Sequence, residues 1–159
     1  MKVIIKNLPQ LEVAFIRRVG SYFEPQDHWE KLLQWANENN LHPPEQSFIG
    51  ISLDNPEFVA SHKCRHDACV TVPENFEKEP HQDVQFKCVD GGQYALYQFY
   101  DEPHKLSEVY QYMYAMWLPN SEYSADYDRD NLEFCMNNVA EDLEGKLKVD
   151  LFVPIKKNK

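Results

Sequence analysis

Glycine is scarce: the five in this 159-residue chain, Gly20, Gly50, Gly91, Gly92 and Gly145, assemble no phosphate-cradling loop, so the sequence gives nucleotide use no support. Long apolar runs are missing too. None approaches the roughly 20 residues that a helical membrane span needs, and Met1-Lys2-Val3-Ile4-Ile5-Lys6 is far too short for a secretory leader. Basic side chains are outnumbered, 16 against 26 acidic, and the resulting net charge of −10 opposes binding to a polyanion such as DNA. The four cysteines, Cys64, Cys69, Cys88 and Cys135, are irregularly spaced. A chain of this length buries roughly 70% of its unfolded surface and needs no disulfide staple, so the expected setting is a reducing cytoplasm.

What the chain does have is aromatic side chains, 13% of residues with nine Tyr and three Trp, rings with polar tips that commonly line pockets and contacts. Its periodicities alternate between strand and helix. Val3–Lys6 and Leu11–Arg18, split by Asn7-Leu8-Pro9-Gln10, read as a hairpin, and Val84–Val89 and Tyr94–Phe99, split by Asp90-Gly91-Gly92, read as a second. After each comes a helix. In the first, Trp29, Leu32, Leu33 and Ala36 recur at helical spacing; in the second, Pro103 suits the first turn, Leu106, Val109, Tyr110, Met113, Met116 and Trp117 form the apolar face, and Pro119 is the stop. Strands follow at 47–52, 65–72, 132–136 and 148–155, and Glu74 to Gln82 is a polar connection.

The pieces repeat. Val13-Ala14-Phe15 matches Tyr94-Ala95-Leu96 at an offset of 81, and Asp67-Ala68-Cys69-Val70 matches Asp150-Leu151-Phe152-Val153 at an offset of 83. The expected architecture is therefore α+β, a single domain over 1–159 whose halves, about 1–75 and 82–156, each run hairpin, helix, strand, strand. Under the second offset Glu133 falls opposite Gly50, so a bulky acid in one half matches a residue with no side chain in the other, leaving room for a ligand at their junction.

Glu133 is the odd residue of its strand. With Leu132, Phe134 and Met136 on one face, Glu133 and Cys135 point to the other, with Trp117, Tyr123 and Tyr127 close in sequence. A carboxylate among rings suits a lipophilic cation, since its charge and the ring quadrupoles both attract positive charge. A solvated strand Glu is the plain alternative. Tyr22 and Tyr94, at roughly equivalent places in the two halves, read equally as strand-end aromatics or as pocket walls. His62, Cys64, His66 and Cys69 lie close together but lack the paired spacing of a structural zinc site, so neither a metal nor a cofactor is expected.

The stretches 11–22, 29–36, 50–56, 65–72 and 91–95, with Trp117-Leu118-Pro119-Asn120-Ser121-Glu122-Tyr123 and Leu132-Glu133-Phe134-Cys135-Met136-Asn137-Asn138, resemble in order the landmarks of the GyrI-like small-molecule-binding family, which also supplies effector domains to AraC-type and MerR-type regulators. The resemblance is strongest to the stand-alone DNA gyrase inhibitor type. It implies two pseudo-symmetric strand-helix-strand-strand halves, a ligand groove between them and an acidic residue in that groove, at Glu133. Two positions depart from the pattern: Glu122 stands where Gly is common, and Cys135 replaces a common Tyr, exchanging a phenol for a small, weakly polar thiol. The chain opens on its first strand, so no DNA-binding helix pair of its own is expected.

Three functions follow from this reading. In the leading one the protein binds a small lipophilic or cationic compound, with Glu133 as charge partner, Tyr22, Tyr94, Trp117 and Tyr123 as walls, and Gly50 and Cys135 at the site. In the second it is a partner of DNA gyrase that inhibits or shields the enzyme. In the third it hydrolyses ring-strained genotoxic compounds, with Glu133 as general base, or traps them on Cys135.

Overall fold

The structure, a computed structural model, describes residues 2–159. Its strands are β1 (Ile4–Leu8), β2 (Leu11–Val19), β3 (Phe48–Ser52), β4 (Arg65–Thr71), β5 (Gln85–Val89), β6 (Gly92–Asp101), β7 (Tyr123–Ala125), β8 (Leu132–Cys135) and β9 (Leu147–Lys157). The helices are α1 (His28–Glu38) and α2 (Leu106–Tyr112). The chain divides into two compact units, Gln10–Asp90 and Met1–Pro9 with Gly91–Lys159.

Neither expected hairpin forms. β1 pairs with β6, Lys6 opposite Tyr94, and β5 pairs with β2, Lys87 opposite Val13. The two connections, at Pro9-Gln10 and Asp90-Gly91, therefore carry the chain onward from one unit into the other instead of turning it back. An antiparallel partner contributed from far away in sequence makes the same ladder as a hairpin neighbour, so local turn signals cannot distinguish the two.

In the unit of residues 10–90 the order is β3-β4-β2-β5, all antiparallel. Helix α1 lays Leu32, Trp35 and Ala36 on Ala14, Ala68 and Val70, all buried. The connection at 74–83, polar in sequence, is tied down by rings: Phe76 and His81 pack on Trp35, whose indole Nε1 donates to His81 Nδ1 at 3.2 Å. In the other unit the order is β1-β6-β9-β8, with β7 also on β9, and α2 packs Val109 and Met113 on Ala95, Leu151 and Val153. The registers of the two units coincide under the sequence offsets: Gly50 opposite Ala68 answers to Glu133 opposite Leu151, and Ile16 opposite Ala68 to Tyr97 opposite Leu151.

On the sheet side away from α1, Asp67 is fully buried and takes both arms of Arg17, at 2.7 and 2.9 Å, and Lys87 at 2.5 Å. Burial pushes this carboxyl up, but the two cations outweigh it and hold the group below its usual range. Asp150 is its counterpart, facing Gln98 where Asp67 faces Arg17. Without a guanidinium, burial prevails over the pull of Lys148 and Lys6 and raises the Asp150 carboxyl.

Candidate functional site

Antiparallel partners directly opposite one another project to the same side of a sheet. Glu133 lies opposite Leu151 and Cys135 opposite Val149, so both enter the α2-covered side, while Leu132 and Phe134 project away and Phe134 packs against Phe152. Met136, expected to extend the buried row, is 48% exposed.

Tyr110 in α2 and Tyr114 just beyond its end present two phenols, one turn apart, to β8 and to the residue before it. Tyr110 donates its hydroxyl hydrogen to Glu133 Oε2, and Tyr114 donates to Asn131 Oδ1 at 3.0 Å. Beyond α2 the chain widens into a π-helical turn, Met113–Trp117, marked by the bond from Leu118 N to Met113 O at 2.9 Å. Such single wide turns occur often at functional sites. Past the stop at Pro119, Trp117 stacks on Tyr123, ring centroids 6.2 Å apart and planes 10° apart. Tyr110, Tyr114, Trp117 and Tyr123 are all half-buried against the same core of Ala95, Met113, Leu151 and Val153.

The electrostatics follow from burial. Desolvation raises the Glu133 carboxyl, and the Tyr110 hydroxyl, which favours the charged form, offsets only part of that rise. The Tyr110 hydroxyl itself is pushed well above the usual phenol range, first by burial and then by the carboxylate it faces. Cys135 is raised to about 12 by burial and by Glu133, which leaves it a thiol at neutral pH. No basic side chain forms an ion pair with Glu133 among the described residues.

Tyr94 is 1% exposed on the sheet side opposite Glu133, under the Arg129 guanidinium at 4.7 Å and edge-on to Phe152. Tyr22 belongs to the unit of residues 10–90, where its hydroxyl sits 2.7 Å from Arg65 O and 3.0 Å from Asp54 O. Nor are these two tyrosines equivalent, since the registers match Tyr94 with Val13. The space above Gly50 is filled: an added Cβ would meet His66 Nε2 at 3.3 Å and Trp29 Cζ2 at 3.4 Å. His66 shares a 2.7 Å hydrogen bond with His28 and is driven down to about 4, by burial first. His62 sits in an exposed turn, Cys64 in the buried layer, and no group of three His, Cys, Asp or Glu side chains is placed to hold a metal ion among the described residues.

In sequence Tyr110 is one more apolar-face residue of its helix, and Tyr114 and Asn131 do not stand out. The available signal was phenols at i and i+4 on one helix, matched by polar residues at 131 and 133 beside one strand.

The chain is 30% identical over 153 residues to a DNA gyrase inhibitor of Escherichia fergusonii, covering 95% of this chain and 96% of that protein. The fold is that of the EcmrR C-terminal domain, with a TM-score of 0.73 at 13% identity over 99% of this chain and 98% of the other. It is also that of SAV2435, solved bound to tetraphenylphosphonium, with a TM-score of 0.64 at 14% identity over 98% and 94%. Residues 1–156 match the GyrI-like small molecule binding domain, and the chain belongs to that family.

Proposed function

We propose that this protein acts as a single small-molecule-binding domain of the cytoplasm and captures a lipophilic organic cation, with Glu133 as the counter-charge and Trp117 and Tyr123 as aromatic walls. The observation that carries this reading is Glu133 itself. Its carboxylate is held by one phenol among half-buried rings and has no cation of its own among the described residues. In such surroundings the effective dielectric falls well below that of water, and the attraction for a bound cation strengthens accordingly. A cation there also gains from ring faces, by about 0.5–2 kcal/mol each. The tetraphenylphosphonium held by SAV2435 is a ligand of this chemistry. Titration of Trp fluorescence with tetraphenylphosphonium tests the proposal, with Trp117→Phe identifying the reporter. Saturable quenching that weakens at least tenfold in Glu133→Gln is expected; quenching of equal affinity in both proteins would remove Glu133 from the role.

A second reading, inhibition of DNA gyrase, is supported by the name of the Escherichia fergusonii relative and by the net charge of −10, which suits competition with DNA for a basic surface. A supercoiling assay at low and moderate salt decides it. Inhibition that fades as salt rises is expected, and full supercoiling at both salts would end the idea.

A further inference from the structure

We infer that Asn131 is a specificity-determining residue of this site, and that the preferred ligand is an organic cation carrying a hydrogen-bond acceptor such as an amide carbonyl, set off from the charge by about two strand positions. The inference rests on the cation-binding reading above and adds to it the second half of the ligand. Asn131 and Glu133 alternate with the buried Leu132, and both are half-buried. That both side chains face the same helical stretch is shown by their partners, Tyr110 in α2 and Tyr114 in the π-helical turn that continues it, one helical turn apart. The two polar groups are thus about 6–7 Å apart along the strand.

What each group has left to offer follows from what its tyrosine takes. A phenol has one hydrogen to donate, and the only acceptor that Tyr114 reaches among the described residues is Asn131 Oδ1. With Oδ1 taken by that phenol, the Nδ2 hydrogens are the open face of Asn131, with no protein acceptor among the described residues. On Glu133, Tyr110 occupies Oε2 and leaves Oε1. The open groups are therefore a donor beside an acceptor. A plain lipophilic cation uses only the carboxylate and strips water from the Asn131 amide without replacing it, which penalises that ligand. A cation with a carbonyl at the right distance uses both.

Two probes with the same ring, spacer length and charge separate these cases: N-[2-(trimethylammonio)ethyl]benzamide, which has the carbonyl, and 4-phenylbutyltrimethylammonium, which does not. The readout is the ratio of their dissociation constants, by calorimetric or fluorescence titration. In Asn131→Leu the ratio is expected to move about tenfold against the amide probe, through weaker binding of that probe and tighter binding of the phenylbutyl probe, which no longer desolvates an amide; tenfold corresponds to 1.4 kcal/mol. Asn131→Asp keeps an acceptor for Tyr114, removes the donor and adds charge, so it should bind the phenylbutyl probe more tightly and the amide probe relatively less. A ratio unchanged in both variants overturns the role of Asn131 while leaving cation binding intact. If the parent binds tetraphenylphosphonium but neither probe, this inference fails alone; if it binds none of the three, the cation reading fails and this one with it.

Discussion

Tyr110 donates to Glu133 across the interface of α2 and β8, and the carboxylate it serves has no cation beside it among the described residues. In the proposed function, the stability of the fold and the capture of a cation are set against each other at this pair. Glu133 is raised by burial, so the folded protein holds its proton more tightly than the unfolded chain does. The stabilisation from that proton is complete below the ordinary carboxylate value and is lost as pH rises through the folded value. Glu133→Gln should therefore melt with the parent at pH 4 and above it at pH 7.5, by roughly 2–4 °C if about 1 kcal/mol is recovered. Coincident melting at pH 7.5 would count against a strained carboxylate, whatever the binding result.

The Tyr110 hydroxyl favours the ionised form of Glu133. Tyr110→Phe should therefore raise the carboxyl further, and cation affinity, which needs the ion, should fall away at a higher pH than in the parent. Dissociation constants for tetraphenylphosphonium between pH 5 and 8 would show this as a shifted midpoint. Superimposed profiles would mean that the phenol only packs.

Cys135 and Cys88 should separate in a thiol-labelling experiment. Cys88 is exposed, whereas Cys135 is half-buried and raised to about 12. At pH 7.5 a maleimide should modify Cys88 first, and Cys88→Ala should label far more slowly than the parent. Rapid labelling of Cys135 in that variant would revive it as a covalent trap.

Asp67 supplies the strongest structural test. Removing one partner of a fully buried ion pair costs about 3–5 kcal/mol. Arg17 is 35% exposed and Lys87 remains in place. Arg17→Met is therefore expected to destabilise by about 1.5–3 kcal/mol at pH 7. Because Asp67 is held below its usual range, its contribution exists above the unfolded carboxylate value and disappears as pH falls through the folded one. Denaturant melts of the two proteins should converge in strong acid. A gap that persists there would assign the cost to the lost contact of the Arg17 guanidinium with the Phe15 ring instead.

Much of this protein was written into local sequence. The alternation at 132–135, the helical spacing of Leu32 and Ala36 and the stop at Pro119 are consequences of side-chain periodicity, a property of neighbours along the chain, and each element stands where that spacing put it. The face carrying Glu133 and Cys135 was legible for the same reason. Strand partners were not. The exchange of β1 and β5 depends on which distant edge offers unpaired N–H and C=O groups, and no turn signal at Pro9 or Gly91 encodes it. The same holds at the site. Glu133 declares itself in sequence as a charge in an apolar run, but that Tyr110 holds it, that Tyr114 holds Asn131 beside it and that Tyr94 lies on the opposite side of the sheet were decided by helix packing and strand register, which act between residues that only the fold brings together.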